Sequence, residues 1–280
     1  MQPRIDTLID LALEEDAAYG DVTSQSIFSP DHVSQATILA REDMVVCGLD
    51  IAKRVFHRVD PGMKVSLEAS DGDQLTNGST VLNINGSTIS LLTAERTALN
   101  FLQRLSGIAS LSQRYANAIA GTGVRIVDTR KTTPGWRALE KYAVRCGGCF
   151  SHRSSLGEHV LIKENHITAA GSLKKAVKLA KDFAPHCAKI EVETESLNDV
   201  KEALEAGAEV IMLDNMSPTQ IQQAVTLINK AATIEVSGGI SLDTISDYAL
   251  PGVDVISIGA LTHSATAADF SMIIPVQTGE

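Results

Sequence analysis

The stretch KIEVETESLNDVKEALEAGAEVIMLDN (189–215) contains one complete unit of the pattern that decides the fold. A short β-branched run ends in polar residues, a helical pattern follows Ser196, and a second apolar run ends at Asp214 and Asn215. A strand, a helix and a strand at this spacing predict two parallel strands joined by a right-handed crossover.

The same unit recurs along the second half of the chain. Apolar runs begin at 125, 159, 189, 209, 234 and 254, and helical patterns occupy 172–183, 196–208 and 217–231. A serine suited to an N-cap introduces each helix, and Pro218 occupies a first helical position. Six such units predict the α/β class, with an incomplete, about six-stranded parallel barrel; an open doubly wound sheet is the alternative.

The first hundred residues follow a different pattern. The predicted elements are a helix at 5–15, strands within 34–48 and 63–70, and a helix at 90–105. Turn signals crowd into 71–88, as short strands with tight connections require. We therefore predict an N-terminal α+β sandwich domain over 1–108 and a barrel domain over 109–270, with the tail 271–280 free to return to the first domain.

The composition excludes several classes of function. The formal net charge of -10 argues against a nucleic acid partner. No apolar run approaches the roughly 20 residues that a membrane helix needs, and the N-terminal segment lacks the pattern of a signal peptide. We therefore expect a cytoplasmic protein that binds no membrane.

Positive charge is nevertheless concentrated in one stretch, 128–166, which contains seven Lys or Arg and four Asp or Glu. On an acidic background, such a cluster predicts a small ligand with several negative charges. In α/β barrels the reacting groups follow the carboxyl ends of the strands. Those ends supply Thr129, Arg130, Lys131, Lys163, Glu193, Asp214, Ser237, Gly238, Gly239, Ile258, Gly259 and Ala260.

The side chains at these ends suggest distinct roles. Arg130 and Arg153 offer bidentate forks to carboxylate or phosphate, while Lys131 and Lys163 act as point charges. Lys163 directly follows an apolar run and therefore needs an anionic partner. Glycine-rich loops after the last strands suit a phosphate group.

The acids near the third and fourth strand ends suit a different ligand. Glu193 and Asp214 suit ribose hydroxyls or a divalent cation. We expect only Glu193 of the third strand to enter the mouth, with Glu191 on the opposite face.

Two patterns resemble metal sites, and we assign neither to a metal. Cys146 and Cys149 form C-x-x-C with His152 three residues later, but no second pair has matching spacing. His152, His159 and His166 are spaced by seven, which a barrel is expected to scatter. Arg96 lies at the edge of its helix's apolar stripe, where periodicity predicts a solvated rim residue.

Taken together, the motifs resemble those of the quinolinate phosphoribosyltransferase family over nearly the whole length. They are GDVTS (20–24), ERTALNFLQRLSGIAS (95–110), DTRKTTPG (128–135), EKYAVRCGG (140–148), HR (152–153), LIKENHI (161–167), EVE (191–193), MLDN (212–215), SGGI (237–240) and SIGALTHS (257–264). The resemblance implies a homodimer in which each N-terminal domain closes its partner's barrel mouth. It also implies that quinolinate, 5-phosphoribosyl diphosphate and Mg²⁺ give nicotinate mononucleotide, CO₂ and diphosphate in NAD biosynthesis.

The resemblance also implies roles for individual residues. Arg130, Arg153 and Lys163 match residues around the quinolinate carboxylates and the phosphoribosyl donor, and Thr129, Lys131 and His152 line the same pocket. Arg96 matches an arginine contributed across the dimer interface. Glu193 and Asp214 match acids at the ribose hydroxyls and the metal, held directly or through substrate or water. We assign the catalytic roles to Lys131, Lys163, Glu193 and Asp214.

The chain departs from the family pattern before its His-Arg pair. Cys149 and Ser151 stand where the family usually has a third glycine and an asparagine, so the resemblance does not define the conformation of this turn. Three other functions stay open: a non-decarboxylating phosphoribosyltransferase acting on nicotinate or another heterocyclic acid, a Schiff-base barrel lyase that uses Lys163, and a non-catalytic phosphate-binding protein.

Overall fold

The structure, a computed structural model, describes residues 2–275 and divides the chain into two compact units. The first unit contains the residues up to Leu111 together with those from Ala265 onward, and the second is Ser112–Ser264. The boundaries predicted from the sequence are 108/109 and 270/271. None of the helices in the described residues has both the length and the apolar character needed to cross a membrane.

The first unit is built of helices and short strands. Its elements are α1 (Gln2–Ala17), α2 (Val22–Ile27), β1 (Val33–Ala40), β2 (Met44–Val45), α3 (Leu49–Val59), β3 (Lys64–Leu67), β4 (Gln74–Leu75), β5 (Thr80–Ser87) and most of α4 (Thr88–Ala118). The residues of α4 from Ser112 onward belong to the second unit. The predicted helix at 90–105 is confirmed within the longer α4. The strand predicted within 34–48 is divided into β1 and β2, and α3 was not predicted.

The second unit alternates strands and helices. Its elements are β6 (Arg125–Val127), α5 (Arg137–Cys146), β7 (Val160–Ile162), α6 (Glu164–Ala170), α7 (Leu173–Phe183), β8 (Ile190–Thr194), α8 (Leu197–Ala206), β9 (Val210–Asp214), α9 (Pro218–Ile228), β10 (Thr233–Ser237), α10 (Ile245–Tyr248), β11 (Val255–Ser257) and α11 (Ala260–His263). All six predicted strands are confirmed. The side chains of Ser172, Ser196 and Ser217 cap α7, α8 and α9 as predicted.

The six strands pair in the order β6-β11-β10-β9-β8-β7, and every pair is parallel. All residues of this unit are described. Because the first strand pairs with the last, this is the order of a barrel that is open between its first and second strands. A single parallel bridge from Phe150 to Val127 extends the β6 side of the opening. The predicted incomplete barrel is confirmed.

The chain returns to the first unit through β12 (Phe270–Ile273), which pairs antiparallel with β1. Among the described residues, the larger sheet of this unit has the order β12-β1-β5-β3, and β2 pairs with β4. Residues 276–280 of the predicted tail lie outside the described residues.

Gly107 in α4 provides a test of packing within the first unit. A Cβ atom at this position would lie 2.0 Å from the carbonyl oxygen of Thr266, which is backbone and cannot rotate away. Alanine is favoured over glycine in a helix by about 1 kcal/mol, but overpacking costs about 1–3 kcal/mol. We expect Gly107→Ala to lower the melting temperature by several degrees, measured by circular dichroism.

Gly157→Ala is the matched control, because a Cβ there would meet only the Ser155 hydroxyl at 3.9 Å. Its melting temperature should stay within about 1 °C of wild type, since such a surface change usually costs little. Equal stability of both variants would contradict the packing argument.

Candidate active site

A cavity of about 370 Å³ lies where the barrel strands end. It is lined by Thr129, Arg130, Lys131, His152, Arg153, Leu161, Lys163, Glu193, Met212, Asp214, Glu235, Ser237 and Ser257. Nine of these side chains belong to the predicted set, so the structure brings together most of the residues expected at the strand ends. The volume is suited to a small molecule.

The remaining predicted residues do not line this cavity. Gly238, Gly239, Ile258, Gly259 and Ala260 lie in the two glycine-rich loops that follow β10 and β11. Arg96 lies on α4 in the first unit, where it is exposed as its position on the apolar stripe predicts.

Four lining residues were not predicted: Leu161, Met212, Glu235 and Ser257. Leu161, Met212 and Glu235 each precede a predicted strand-end residue by two positions, and Ser257 precedes Gly259 by two. Since side chains two apart on a strand point to the same face, these residues form the layer beneath the mouth. The alternation of side chains along a strand, with its period of two, could have predicted these four residues from the sequence.

The same rule corrects the expectation for Glu191, which was predicted to point away from Glu193. Glu191 is two positions before Glu193 and is buried within the barrel, where its Oε2 accepts from His159 Nε2 at 2.9 Å. Oε2 also lies 3.3 Å from His152 Nε2. Both acids of this strand therefore face inward.

His152 is held between two buried carboxylates. Its Nε2 atom lies 3.3 Å from Glu191 Oε2 and 3.4 Å from Glu235 Oε2. Burial lowers the pKa of His152, but hydrogen bonds and Coulomb attraction from these acids outweigh it and raise the pKa to about 9. The backbone N–H of Arg153 donates to Nδ1 at 2.8 Å and favours the neutral ring, because protonation of Nδ1 would break this bond.

The sequence predicts that His152, His159 and His166 are scattered, but two of them lie close together. The His152 and His159 rings have centroids 5.0 Å apart, and one nitrogen of each ring and a Glu191 oxygen lie within 4.8 Å of one another. The Nδ1 atom of His166 instead accepts from the backbone N–H of Lys163 at 3.0 Å. The structure thus joins two of the three histidines through a carboxylate.

Lys163 has the anionic partner that its place after β7 predicts. Its Nζ forms an ion pair with Glu193 Oε2, and its side chain is 47% exposed. Across the sheet, Asn215 Nδ2 donates to Asp214 Oδ2 at 2.7 Å. Asn215 adopts a left-handed conformation with φ 55°, which asparagine tolerates better than most residues.

Arg130 and Arg153 bring two positive charges to the same cavity. Burial lowers the pKa of Arg153, and the charge of Arg130 lowers it further. Arg130 Nε and Ser257 Oγ are buried and have no hydrogen-bond partner in the described structure. Two repelling guanidinium groups and unpaired donors at one cavity favour an anionic ligand.

The loop after β10 requires its glycine. Gly238 has φ 95°, and a Cβ there would lie 2.3 Å from Asn215 Oδ1. The following Gly239 also has a positive φ, 63°. These conformations expose backbone in a manner suited to a phosphate, as the sequence analysis proposed.

The turn that departs from the family pattern keeps an ordinary conformation at Cys149. Gly148 has the positive φ, 86°, while the buried Cys149 thiol donates to the carbonyl oxygen of Ser112 at 3.2 Å. Burial and the nearby charge of Asp128 raise the pKa of Cys149 to about 12, so its thiol is unreactive at neutral pH. His152 Nε2 lies close to Glu191 and Glu235, so His152 is not placed as a third ligand beside Cys146 and Cys149.

A larger cavity, of about 860 Å³, lies beside the site against β7 and α7. Its lining is mostly apolar, from residues such as Leu156, Leu179 and Phe183, and of the predicted site residues only Arg153 lines it. The chemistry that the strand ends supply is therefore in the smaller cavity.

We expect the His152 imidazole to titrate well above pH 6.5, because Glu191 and Glu235 stabilise its charged form. Glu235→Gln should lower this pKa toward 6.5, as measured by NMR titration of ¹⁵N-labelled histidine. The raised pKa contributes stability that is complete below pH 6.5 and is lost as the pH rises toward 9. This loss should be smaller in Glu235→Gln.

Glu195→Gln is the control, since Glu195 is an exposed acid just after the same barrel's β8. It should leave the His152 titration unchanged. An unshifted His152 titration in Glu235→Gln would contradict the assigned electrostatics.

Comparison with known proteins agrees with this geometry. Residues 21–106 match the N-terminal domain model, and residues 108–273 the C-terminal domain model, of quinolinate phosphoribosyl transferase. A probable carboxylating nicotinate-nucleotide pyrophosphorylase of Bacillus subtilis is 42% identical over 92% of this chain and 89% of its own length.

Solved structures give the same result. The crystal structure of NadC from Streptococcus pyogenes has a TM-score of 0.94 at 45% identity, covering 98% of this chain and 96% of its own. The nicotinate-nucleotide pyrophosphorylase of Francisella tularensis also has a TM-score of 0.94, at 38% identity, with 98% and 97% covered. The chain belongs to the quinolinate phosphoribosyl transferase family.

Proposed function

We propose that this protein transfers the phosphoribosyl group of 5-phosphoribosyl diphosphate to quinolinate with decarboxylation. The products are nicotinate mononucleotide, CO₂ and diphosphate, in the de novo biosynthesis of NAD. The observation that carries the proposal is the cavity in which Arg130, Lys131, Arg153 and Lys163 surround space that Glu193 and Asp214 also line. A dicarboxylate and a phosphorylated sugar together require both kinds of charge.

The cationic side of the cavity suits quinolinate. Arg130 and Arg153 can each bind a carboxylate through two parallel hydrogen bonds, and Arg130 Nε is an unpaired buried donor there. His152 lines the same cavity, and its Nε2 lies 3.3 Å from Glu191 Oε2 and 3.4 Å from Glu235 Oε2. Thr129 and Lys131 complete the lining on the β6 side. We assign Lys163 to the reacting region rather than to substrate anchoring.

The acidic side suits the ribose. Glu193 and Asp214 offer carboxylate oxygens to the ribose hydroxyls, and oxygen ligands are those that Mg²⁺ prefers. These two residues would hold Mg²⁺ directly or through substrate or water, and the ion would neutralise the diphosphate. Backbone N–H groups of the loops at Ser237, Gly238 and Gly239 and at Ile258, Gly259 and Ala260 would bind phosphate.

The chemistry needs no protein nucleophile. Departure of diphosphate from the anomeric carbon leaves positive charge on the ribose ring, which the fixed carboxylates of Glu193 and Asp214 stabilise. The pyridine nitrogen then bonds to that carbon. The quaternised ring accepts the electron pair of the C–CO₂ bond as CO₂ leaves, and the ring carbon then takes a proton from solvent. Orientation by the arginines and exclusion of water assist this step.

Two other functions make different predictions. A Schiff-base lyase would need Lys163 activated by desolvation, but Lys163 is paired with Glu193 and half exposed. A phosphoribosyltransferase acting on nicotinate would release no CO₂. Borohydride trapping on Lys163 would favour the former, and turnover of nicotinate the latter.

We expect protein mixed with quinolinate, 5-phosphoribosyl diphosphate and Mg²⁺ to form nicotinate mononucleotide and CO₂ in equal amounts. Quinolinate labelled with ¹³C in the 2-carboxylate allows both products to be followed by NMR and mass spectrometry. Lys163→Ala should reduce turnover by about 100-fold or more, as expected for a group that acts on the transition state. Nicotinate in place of quinolinate is the control and should give no product.

Failure of the wild-type protein to form nicotinate mononucleotide would overturn the proposed function. Full turnover by Lys163→Ala would contradict only the role given to that residue.

We further propose a homodimer whose active site is completed by Arg96 of the partner subunit, in keeping with the family resemblance. Arg96 is exposed on α4, and an exposed arginine is available to a partner. The substrates are small molecules, and a cytoplasmic location remains a prediction from the sequence.

Complementation tests whether Arg96 acts across the dimer. Arg96→Ala and Lys163→Ala should each be nearly inactive alone. A mixed dimer of the two has one site with both substitutions and one site with neither. After unfolding and refolding an equal mixture, half of the dimers are mixed, so activity should return to about one quarter of wild type.

The control is each variant refolded alone, which should stay inactive. Absence of recovery in a mixture shown to contain mixed dimers would mean that Arg96 acts within its own subunit or not at all.

A further inference from the structure

We propose that one face of helix α5, formed by Arg137, Glu140 and Lys141, positions the two loops that carry the cations of the cavity. Lys141, through its pair with Asp128, is the central positioning residue and acts on His152 and Arg153. Lys141, Glu140, Arg137 and Asp128 do not line the cavity. The inference rests on the proposed function.

Lys141 and Asp128 hold both polar groups of one backbone position. Asp128 Oδ1 accepts the backbone N–H of His152 at 2.9 Å. Lys141 Nζ donates to the His152 carbonyl oxygen at 3.0 Å and also to Asp128 Oδ1. With both its N–H and its C=O fixed, the backbone at His152 cannot rotate without breaking bonds to a buried pair.

Burial makes this arrangement specific. Asp128 is 0% and Lys141 2% exposed, so water cannot replace either partner. A buried ion pair is a weak source of net stability, because desolvation offsets the attraction between the charges. The pair instead fixes the position of the backbone at His152, and this backbone carries the side chains of His152 and Arg153.

Glu140 holds the loop that carries Arg130 and Lys131. Its Oε2 accepts the backbone N–H of Thr133 at 3.1 Å, and its Oε1 accepts the Thr133 hydroxyl at 2.8 Å. Thr133 is in the same loop as Arg130 and Lys131. Lys141 and the adjacent Glu140 therefore fix different loops.

Arg137 connects the two loops. Its Nε donates to Thr132 Oγ1 at 3.0 Å and its Nη1 to the Ser154 carbonyl oxygen at 3.1 Å. Its Nη2 also lies 3.4 Å from the Arg130 carbonyl oxygen. Positions 137, 140 and 141 are spaced i, i+3 and i+4, which places them on one helix face. One rigid element therefore sets the separation between the Arg130 loop and the Arg153 segment.

The test compares the two substrates kinetically. Removal of residues that orient metal ligands typically costs about 10- to 100-fold in affinity or activity, and we expect an effect of the same size for residues that orient the cations of this cavity. We expect Lys141→Met to raise the KM for quinolinate by about this factor and to leave the KM for 5-phosphoribosyl diphosphate within about twofold. A merely structural role would lower the active fraction, and so kcat, without moving either KM.

A second variant covers the case in which Lys141→Met leaves Asp128 as an unpaired buried charge and does not fold. Asp128→Asn combined with Lys141→Met removes both charges and should fold, as judged by circular dichroism. It should show the same selective rise in the KM for quinolinate. Lys178→Met is the matched control, because Lys178 forms an exposed pair with Asp182 on α7. It should behave as wild type.

The outcomes separate the two proposals. Wild-type protein that makes no nicotinate mononucleotide contradicts the proposed function. The positioning role is wrong if the wild type is active and the variants keep the wild-type KM for quinolinate. It is also wrong if only kcat falls in the variants. If neither variant folds, the pair serves folding and the inference is wrong.

Discussion

The site depends on one electrostatic constraint: cations that repel one another must be held around a single small cavity. The repulsion is visible in the pKa of Arg153, which burial and then Arg130 lower. The buried carboxylates of Glu191 and Glu235 counteract this repulsion. They raise the pKa of His152 to about 9. Because these acids lie inside the barrel rather than in the mouth, they stabilise the cations without occupying the place of the ligand.

The separation of the buried acids from the mouth follows from the alternation of side chains along each barrel strand. Polar residues at a strand end face the mouth, and the residues two positions earlier face the space beneath it. Glu193 and Glu191 illustrate the rule on β8, and Ser237 and Glu235 illustrate it on β10. The sequence was sufficient to predict the mouth, because the change from apolar to polar residues is local. The layer beneath was missed although the same period specifies it.

Other features could not be predicted because they depend on contacts between distant elements. Nothing local distinguishes Lys141 from a solvated lysine, since its partner Asp128 is 13 residues earlier and its burial follows from packing. Helix α3 was missed for another reason. It begins after Gly48, which has a left-handed conformation and no side-chain cap, so the usual start signal is absent. The capped helices α7, α8 and α9 were found because their signals are in the sequence.

The same contacts explain why the turn at Cys149 and Ser151 can differ from the family pattern. The left-handed position is Gly148, so Cys149 does not need the freedom of glycine. The backbone of His152 is fixed by Asp128 and Lys141, and the Ser151 side chain forms a hydrogen bond with Asp128. Position 151 is therefore linked to the buried pair that precedes Arg153, whereas the Cys149 thiol donates to Ser112 instead. Cys149 is accommodated before the His-Arg pair because its position needs no positive φ and because the buried ion pair holds the backbone of His152.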